Sequence, residues 1–319
     1  MKIKPQILIF LFIIILLGGF AFLLKLTCKP LKPINGTGSC NRIIALAPNI
    51  TEILFSLGLG DKVVGVSEFC NYPPQAQQIP RVGALLNPNF EAIITAKPDL
   101  IIILDEMAVD KDKFTSLGIE TLAVKHNNIN EILNSISIIG SRCDKTVEAE
   151  KIVGEIENKL KRIQNAVQNR NRPRVLICVG HDSSQNPSDK LRNIYIVGND
   201  GFYSQMIEYA GGKNAYNGKI PFPEISWESV ISMNPQIIID IAPVQTKPTD
   251  SGIMIMQWKN FAQIDAVKNN AVYVFTENYT AIPGPRFILT LEKIARIINP
   301  NNVIPVKTGI RNNDEANSN

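Results

Sequence analysis

The sequence predicts an α/β protein of two Rossmann-like lobes, each built on a parallel sheet, joined by one long bridging helix. Three observations predict it. From Asp144 to Gln168, the residues Ile152, Ile156, Leu160, Ile163 and Val167 recur at steps of four, four, three and four, one apolar face at helical period. On either side of that stretch the chain repeats one pattern of strand, glycine-stopped helix, short helix and strand, and the intervals Glu91 to Pro98 and Glu228 to Pro235 are equal. The strands are near-continuous apolar runs, LIIIL at Leu100–Leu104 and IIIDI at Ile237–Ile241, as expected of sheets covered on both faces.

In chain order, residues 1–27 read as a signal peptide or membrane anchor. Lys2 and Lys4 precede an apolar run from Ile7 to Leu24, just long enough to span a bilayer, and the positive residues ahead of it predict the body of the protein outside. Residues 28–41, with Pro30, Pro33, Gly36 and Gly38, read as a linker. Residues 42–143 form the first lobe. It opens with the strand RIIAL and the helix Thr51–Leu57, which Gly58 stops. A short helix follows, opened by Asn89-Phe90-Glu91 and closed by Lys97-Pro98-Asp99, and then LIIIL. Residues 144–170 hold the bridging helix, with Asp144 as N-cap, acids near its start and bases near its end. Glu155 with Lys159 and Glu157 with Lys161 are spaced as i,i+4 pairs, and the helix is about 36 Å long. Residues 171–300 repeat the order: RVLICV, SQMIEYA stopped by Gly211, a helix opened by Ser226-Trp227-Glu228 and closed by Asn234-Pro235-Gln236, then IIIDI. Residues 301–319 read as a disordered polar tail.

The chain has 319 residues, enough for two domains, and its 45% hydrophobic content is that of a globular protein. A net charge of +4 with no basic run among aromatics argues against nucleic acid as a partner. The five cysteines show no zinc spacing, and their odd number leaves at least one thiol unpaired within an exported chain. Spacing does not assign the pairing of Cys40, Cys70, Cys143 and Cys178. Histidine is confined to His126 and to His181, placed in a loop after a strand, which is too few for a bare zinc or manganese site. No metal or cofactor is expected. Gly58-Leu59-Gly60 ends a helix and is no dinucleotide fingerprint, and there is no P-loop, nucleophile elbow or HExxH, so an enzyme is not expected.

RIIALAPNITEILFSLG, VVGVSEFCNYPPQAQQIPRVG, NFEAIITAKPDLIII and PFPEISWESV resemble the periplasmic solute-binding proteins of ABC importers for vitamin B12 and iron siderophores, nearest to the vitamin B12-binding branch. Asn-Tyr-Pro-Pro at Asn71–Pro74 and Lys97-Pro98-Asp99-Leu100 are the more specific motifs, and the likeness runs from Arg42 to Pro300. It implies the helical-backbone, class III form of binding protein, with ligand between the lobes and an ABC permease dimer as partner. It implies a monomer, held outside the cytoplasm and tethered to the membrane. Leu26-Thr27-Cys28 resembles a lipoprotein signal with Cys28 as lipid anchor; Lys25 and Thr27 depart from that pattern, which keeps an uncleaved anchor as the alternative.

The same resemblance places ligand contacts at Phe69, Tyr72, Tyr195, Phe222 and Tyr279, with Tyr72 also shaping its Pro-Pro loop. Aromatics on the mouths of two lobes suit a flat apolar ligand such as a corrin or haem. Leu85 stands where a tryptophan is expected and Ala281 where an acidic contact is expected. Arg81, Lys125, Arg192 and Arg286 are candidate anion contacts for a ferric siderophore, Arg286 also opening the last helix. Glu91 and Glu228, each two residues past an N-cap, match the glutamates that dock such proteins on arginines of the two permease subunits. The expected function is therefore capture and delivery of a cobalamin-like corrinoid or an iron-siderophore or haem chelate. A cleft enzyme acting on a metallocofactor and a tethered ligand sensor are the alternatives.

Overall fold

The computed structural model describes residues 40–84, 86–168, 170–182, 186–242 and 251–300. The expected leader or anchor, Cys28, Leu85 and the C-terminal tail lie outside them. In the first lobe, β1 (Ile43–Ala45) and β2 (Val63–Val66) precede a small hairpin of β3 (Gly83–Ala84) and β4 (Asn87–Pro88), and then β5 (Leu100–Leu104) and β6 (Glu120–Val124). Its main sheet has the order β2-β1-β5-β6, all parallel. Helices α1 (Pro48–Ser56), α2 (Phe90–Thr95), α3 (Ala108–Ser116) and α4 (Ile129–Arg142) connect the strands. Pro48 begins α1, where a missing N–H costs nothing.

The bridging helix α5 runs Thr146–Val167. Asp144 is not its cap. Its φ of +55° puts it in the left-handed turn that follows α4, and the N-cap is Lys145, with no side-chain bond. Ile156, Leu160 and Ile163 are buried as the periodicity predicts. Lys159 reaches across to Glu292 at 3.2 Å rather than along the helix to Glu155.

The second lobe holds β7 (Arg174–Asp182), β8 (Arg192–Ile196), β9 (Lys213–Asn214), β10 (Glu224–Ile225), β11 (Ile237–Ile241) and β12 (Val272–Phe275). Its helices are α6 (Tyr203–Tyr209), α7 (Trp227–Met233), α8 (Ser251–Lys259), α9 (Asp265–Lys268) and α10 (Phe287–Ile298). β7, β11 and β12 are parallel, as expected, but β8 and β10 extend the sheet antiparallel in the order β10-β8-β7-β11-β12. His181 belongs to β7, not to a loop.

One apolar core runs through both lobes. It joins Ile43, Ile50, Leu100 and Ile136 of the first lobe, Ile156, Leu160 and Ile163 of the bridge, and Ile177, Met206, Ile239 and Phe287 of the second. Gly201, at φ +82°, meets the first lobe so closely that a Cβ there would lie 2.6 Å from the Asn127 carbonyl oxygen; only glycine fits on both counts. Beside it Gln205 of α6 accepts a hydrogen bond from the Ile129 amide at 3.0 Å. A disulfide, Cys40–Cys143, ties the start of the first lobe to the end of α4 across 103 residues. Cys70 and Cys178 are buried free thiols.

Glu52 of α1 and Arg286, at the start of α10, form a buried two-pronged ion pair at 2.6 and 3.0 Å between the lobes. Arg286 also donates to Asn278 at 2.9 Å and lies 3.5 Å over the Tyr72 ring. Burial pushes the Glu52 carboxyl up despite the opposing pull of Arg286. Desolvating two charges gives little net stability, but orphaning one is expensive. Arg286→Leu is therefore expected to destabilise the fold by about 3–5 kcal/mol, and adding Glu52→Leu to restore most of that loss. Denaturant titration of the two variants checks this.

Candidate functional site

In open α/β sheets a ligand sits beyond the carboxyl ends of the strands. Phe69 follows β2 at that end of the first lobe and is 56% exposed. In the second lobe Tyr195 of β8 faces Glu224 of β10, and its hydroxyl donates to Glu224 Oε2 at 3.0 Å. Strand alternation places Ile194, Ile196 and Ile225 on the other face, and the pairing continues ahead of β10, with the Ile196 and Gly198 amides donating to the Pro223 and Pro221 carbonyls, which sets Phe222 beside Tyr195. The Tyr195 face is the one whose buried members, Val175, Ile177 and Ile239, join the core shared with the first lobe. Tyr195 and Phe222 remain 42% and 48% exposed, so an aromatic edge fronts the inter-lobe side.

The other two aromatics lie beside the junction of the lobes. Tyr72 stacks on Arg286 and Tyr279 lies 5.6 Å from the same guanidinium, so both pack around the Glu52–Arg286 brace. Sequence reasoning grouped all five; the structure keeps Phe69, Tyr195 and Phe222 as uncovered surface. Arg81 is no free anion contact. Its guanidinium donates to the carbonyls of Ser67 and Cys70 at 3.0 and 2.9 Å and shapes the loop that carries Phe69. Lys125 pairs with Asp105 at 3.4 Å, Arg192 stands exposed at the start of β8, and Ala281 is exposed. A hollow of about 450 Å³ lies beside α1, lined by Glu52, Phe55, Tyr72, Pro73, Gln75 and Arg286 among others. Phe69, Tyr195 and Phe222 are not in its wall, and of its charged side chains Glu52 and Arg286 satisfy each other while Asp61 is exposed.

Asn49 and His126, neither singled out by the sequence as a pair, meet in the interior, where Asn49 Nδ2 donates to His126 Nδ1. That contact leaves the ring proton on Nε2. Burial pushes the imidazole down to about 4, against a smaller opposing pull from the Pro283 carbonyl of the second lobe.

Glu91 and Glu228 occupy equivalent places built by equivalent contacts. Asn89 and Ser226 cap the two helices through their side chains. Each helix ends on a left-handed residue before proline, Lys97 at φ +46° and Asn234 at +41°. Arg42 Nε donates to the Lys97 carbonyl at 3.0 Å, and Arg174 Nε to that of Asn234 at 3.2 Å. The Arg42 amide binds Asp99 at 3.1 Å and the Arg174 amide binds Gln236 at 3.0 Å. A helix that returns to the start of a parallel strand begins at that strand's far end, so both glutamates lie at the cleft-side rim of their lobes. Both are exposed, with no ion pair among the described residues.

Two α/β lobes bridged by one helix, with uncovered aromatics on the inter-lobe side, define a helix-bridged solute-binding protein of class III. The chain belongs to the periplasmic binding protein family, whose profile matches residues 43–279. An uncharacterized ABC transporter substrate-binding lipoprotein of Bacillus subtilis is 30% identical over 267 residues, 81% of this chain and 80% of that one. The structure of a possible iron-binding, periplasmic solute-binding protein of Staphylococcus epidermidis matches with a TM-score of 0.66 at 30% identity, covering 81% of this chain and 98% of that one. The periplasmic vitamin B12-binding protein of Vibrio cholerae matches with a TM-score of 0.67 at 27% identity, covering 81% and 96%.

The buried neutral His126 makes stability depend on pH. Its folded pKa of about 4 lies below the ordinary 6.5, so the unfolded chain binds the proton more tightly. Stability is expected to be full above about pH 6.5 and to fall by roughly 3 kcal/mol at most as pH drops to about 4. The difference between the unfolding free energies of the wild type and His126→Gln, followed across that window, isolates the effect.

Proposed function

We propose that this protein is the substrate-binding component of an ABC importer, tethered outside the cytoplasm as a monomer. It captures a large metal chelate between its lobes and delivers it to a two-fold permease. Its family consists of binding proteins, and the relatives named for vitamin B12 and for iron make a cobalamin-like corrinoid or a ferric siderophore the leading ligands, with haem next. The aromatic edge suits such ligands, because their apolar faces stack on phenyl and phenol rings. The observation that carries the reading is the repeat. The same arginine clamp, proline turn and capped helix set one free carboxylate at the rim of each lobe, and such a pair complements arginines on two related subunits. A cleft enzyme is disfavoured: the one thiol, imidazole and carboxylate cluster among the described residues, Cys178 with His181 and Asp240, is on the sheet face opposite the aromatic edge.

The ligand assignment is tested by titrating cobalamin, cobinamide, haem and ferric siderophores while following absorbance and protein fluorescence. The double variant Phe69→Ala/Phe222→Ala is expected to bind the successful ligand more than about tenfold more weakly, as loss of buried aromatic anchors usually does. Unchanged affinity in the folded variant would move the site elsewhere.

The docking assignment predicts a different phenotype. Glu91→Ala and Glu228→Ala should keep ligand affinity and lower uptake in cells, the double variant most, and charge reversal to Arg should be worse than removal. Normal transport by the double variant, or loss of ligand binding in either single one, rejects that role.

A further inference from the structure

On the sheet face turned away from the first lobe, β7 and β11 gather three side chains of metal-binding type. Cys178 and Asp240 are neighbours in register, and β7 departs from regular pairing on either side of Gly180, which brings His181 to the same place. One donor atom from each of Cys178, His181 and Asp240 lies within 4.8 Å of the others. His181 Nε2 is 2.9 Å from Asp240 Oδ2, and Trp258 Nε1 donates to that same oxygen at 2.7 Å. The cluster is incomplete as it stands. Among the described residues, His181 Nδ1 and Asp240 Oδ1 are buried with no hydrogen-bond partner, on side chains only 3% and 1% exposed. Buried polar atoms left without partners destabilise by about 1–3 kcal/mol each, and in native proteins they commonly mark an ion or water.

The donor set selects the ion. A thiol, an imidazole and a carboxylate are the three side-chain ligands of Zn²⁺, whereas Mg²⁺ and Ca²⁺ seek oxygen alone. Trp258 fits the outer partner that orients a ligating carboxylate. We propose that Cys178, His181 and Asp240 bind one Zn²⁺-class divalent cation, on the sheet face opposite the aromatic edge. On binding, the Cys178 thiol loses its proton to solvent as the metal–sulfur bond forms, and the ion cross-links β7 to β11. Three protein ligands leave a fourth position for water. Access is short, since the main chain of His181 is partly exposed and Asp182 is exposed.

Two features hid the site from the sequence. The ligands do not follow zinc spacing, because 59 residues separate His181 from Asp240. The carboxylate inside IIIDI was nevertheless a signal, since a charge in a fully buried strand requires a partner.

The experiment uses the full protein without a histidine tag, stripped by a chelator and titrated with Co²⁺ and then Zn²⁺. One equivalent of Co²⁺ should bind with a thiolate-to-metal charge-transfer band that Zn²⁺ abolishes, and Zn²⁺ should raise the melting temperature. Cys178→Ser should lose the band, and Cys178→Ser and His181→Gln should each bind Zn²⁺ at least tenfold more weakly. Phe69→Ala/Phe222→Ala should bind as the wild type does. No saturable binding by the folded wild type, or equal binding by Cys178→Ser and His181→Gln, overturns the proposal.

Discussion

A carboxylate on α1 and a guanidinium at the head of α10 meet between the lobes, 234 residues apart in sequence. Neither charge can be left there alone, so the Glu52–Arg286 pair specifies one relative placement of the lobes more strongly than it adds stability. Much else is arranged around it. Tyr72 and Tyr279 are drawn to the guanidinium, Asn278 takes a further donor, and Gly284 lets the chain pass close to Glu52. His126 and Asn49 lie on the same side of the junction, with the His126 ring against the Pro283 carbonyl.

The two halves reach similar geometry through the same local chemistry. An arginine at the start of a central strand holds the carbonyl of a left-handed residue before proline, and the next side chain returns a bond to the arginine's own amide. The short helices α2 and α7 are thereby fixed at both ends, by caps in front and clamps behind. Helices this short have little intrinsic stability. Their orientation, and that of the exposed glutamates they carry, is set by these contacts with the sheet.

Most of the fold was legible because apolar periodicity survives burial. The bridge, the repeated strand–helix order and the glycine stops at Gly58 and Gly211 were visible as patterns of side-chain type. The antiparallel strands were not: β8 and β10 are short and half exposed, so RNIYI and EI carry too weak an alternation to reveal them. The surroundings of the candidate residues were not legible: Phe69, Tyr195 and Phe222 are open surface, while Tyr72, Tyr279 and Arg81 are engaged by neighbours that the sequence order does not reveal. The Cys40–Cys143 link illustrates the same limit, since nothing in the spacing of the cysteines encodes which ends the fold will bring together.

The core that runs through both lobes also sets how a captured molecule gets out. Spreading the lobes would expose apolar surface at about 25 cal/mol per Å², so an opening of even a few hundred Å² lies several kcal/mol uphill. Spontaneous gaping on that scale is then rare. Release on demand needs leverage from outside. A partner that gripped both lobes would supply it, and would prise apart what thermal motion leaves shut.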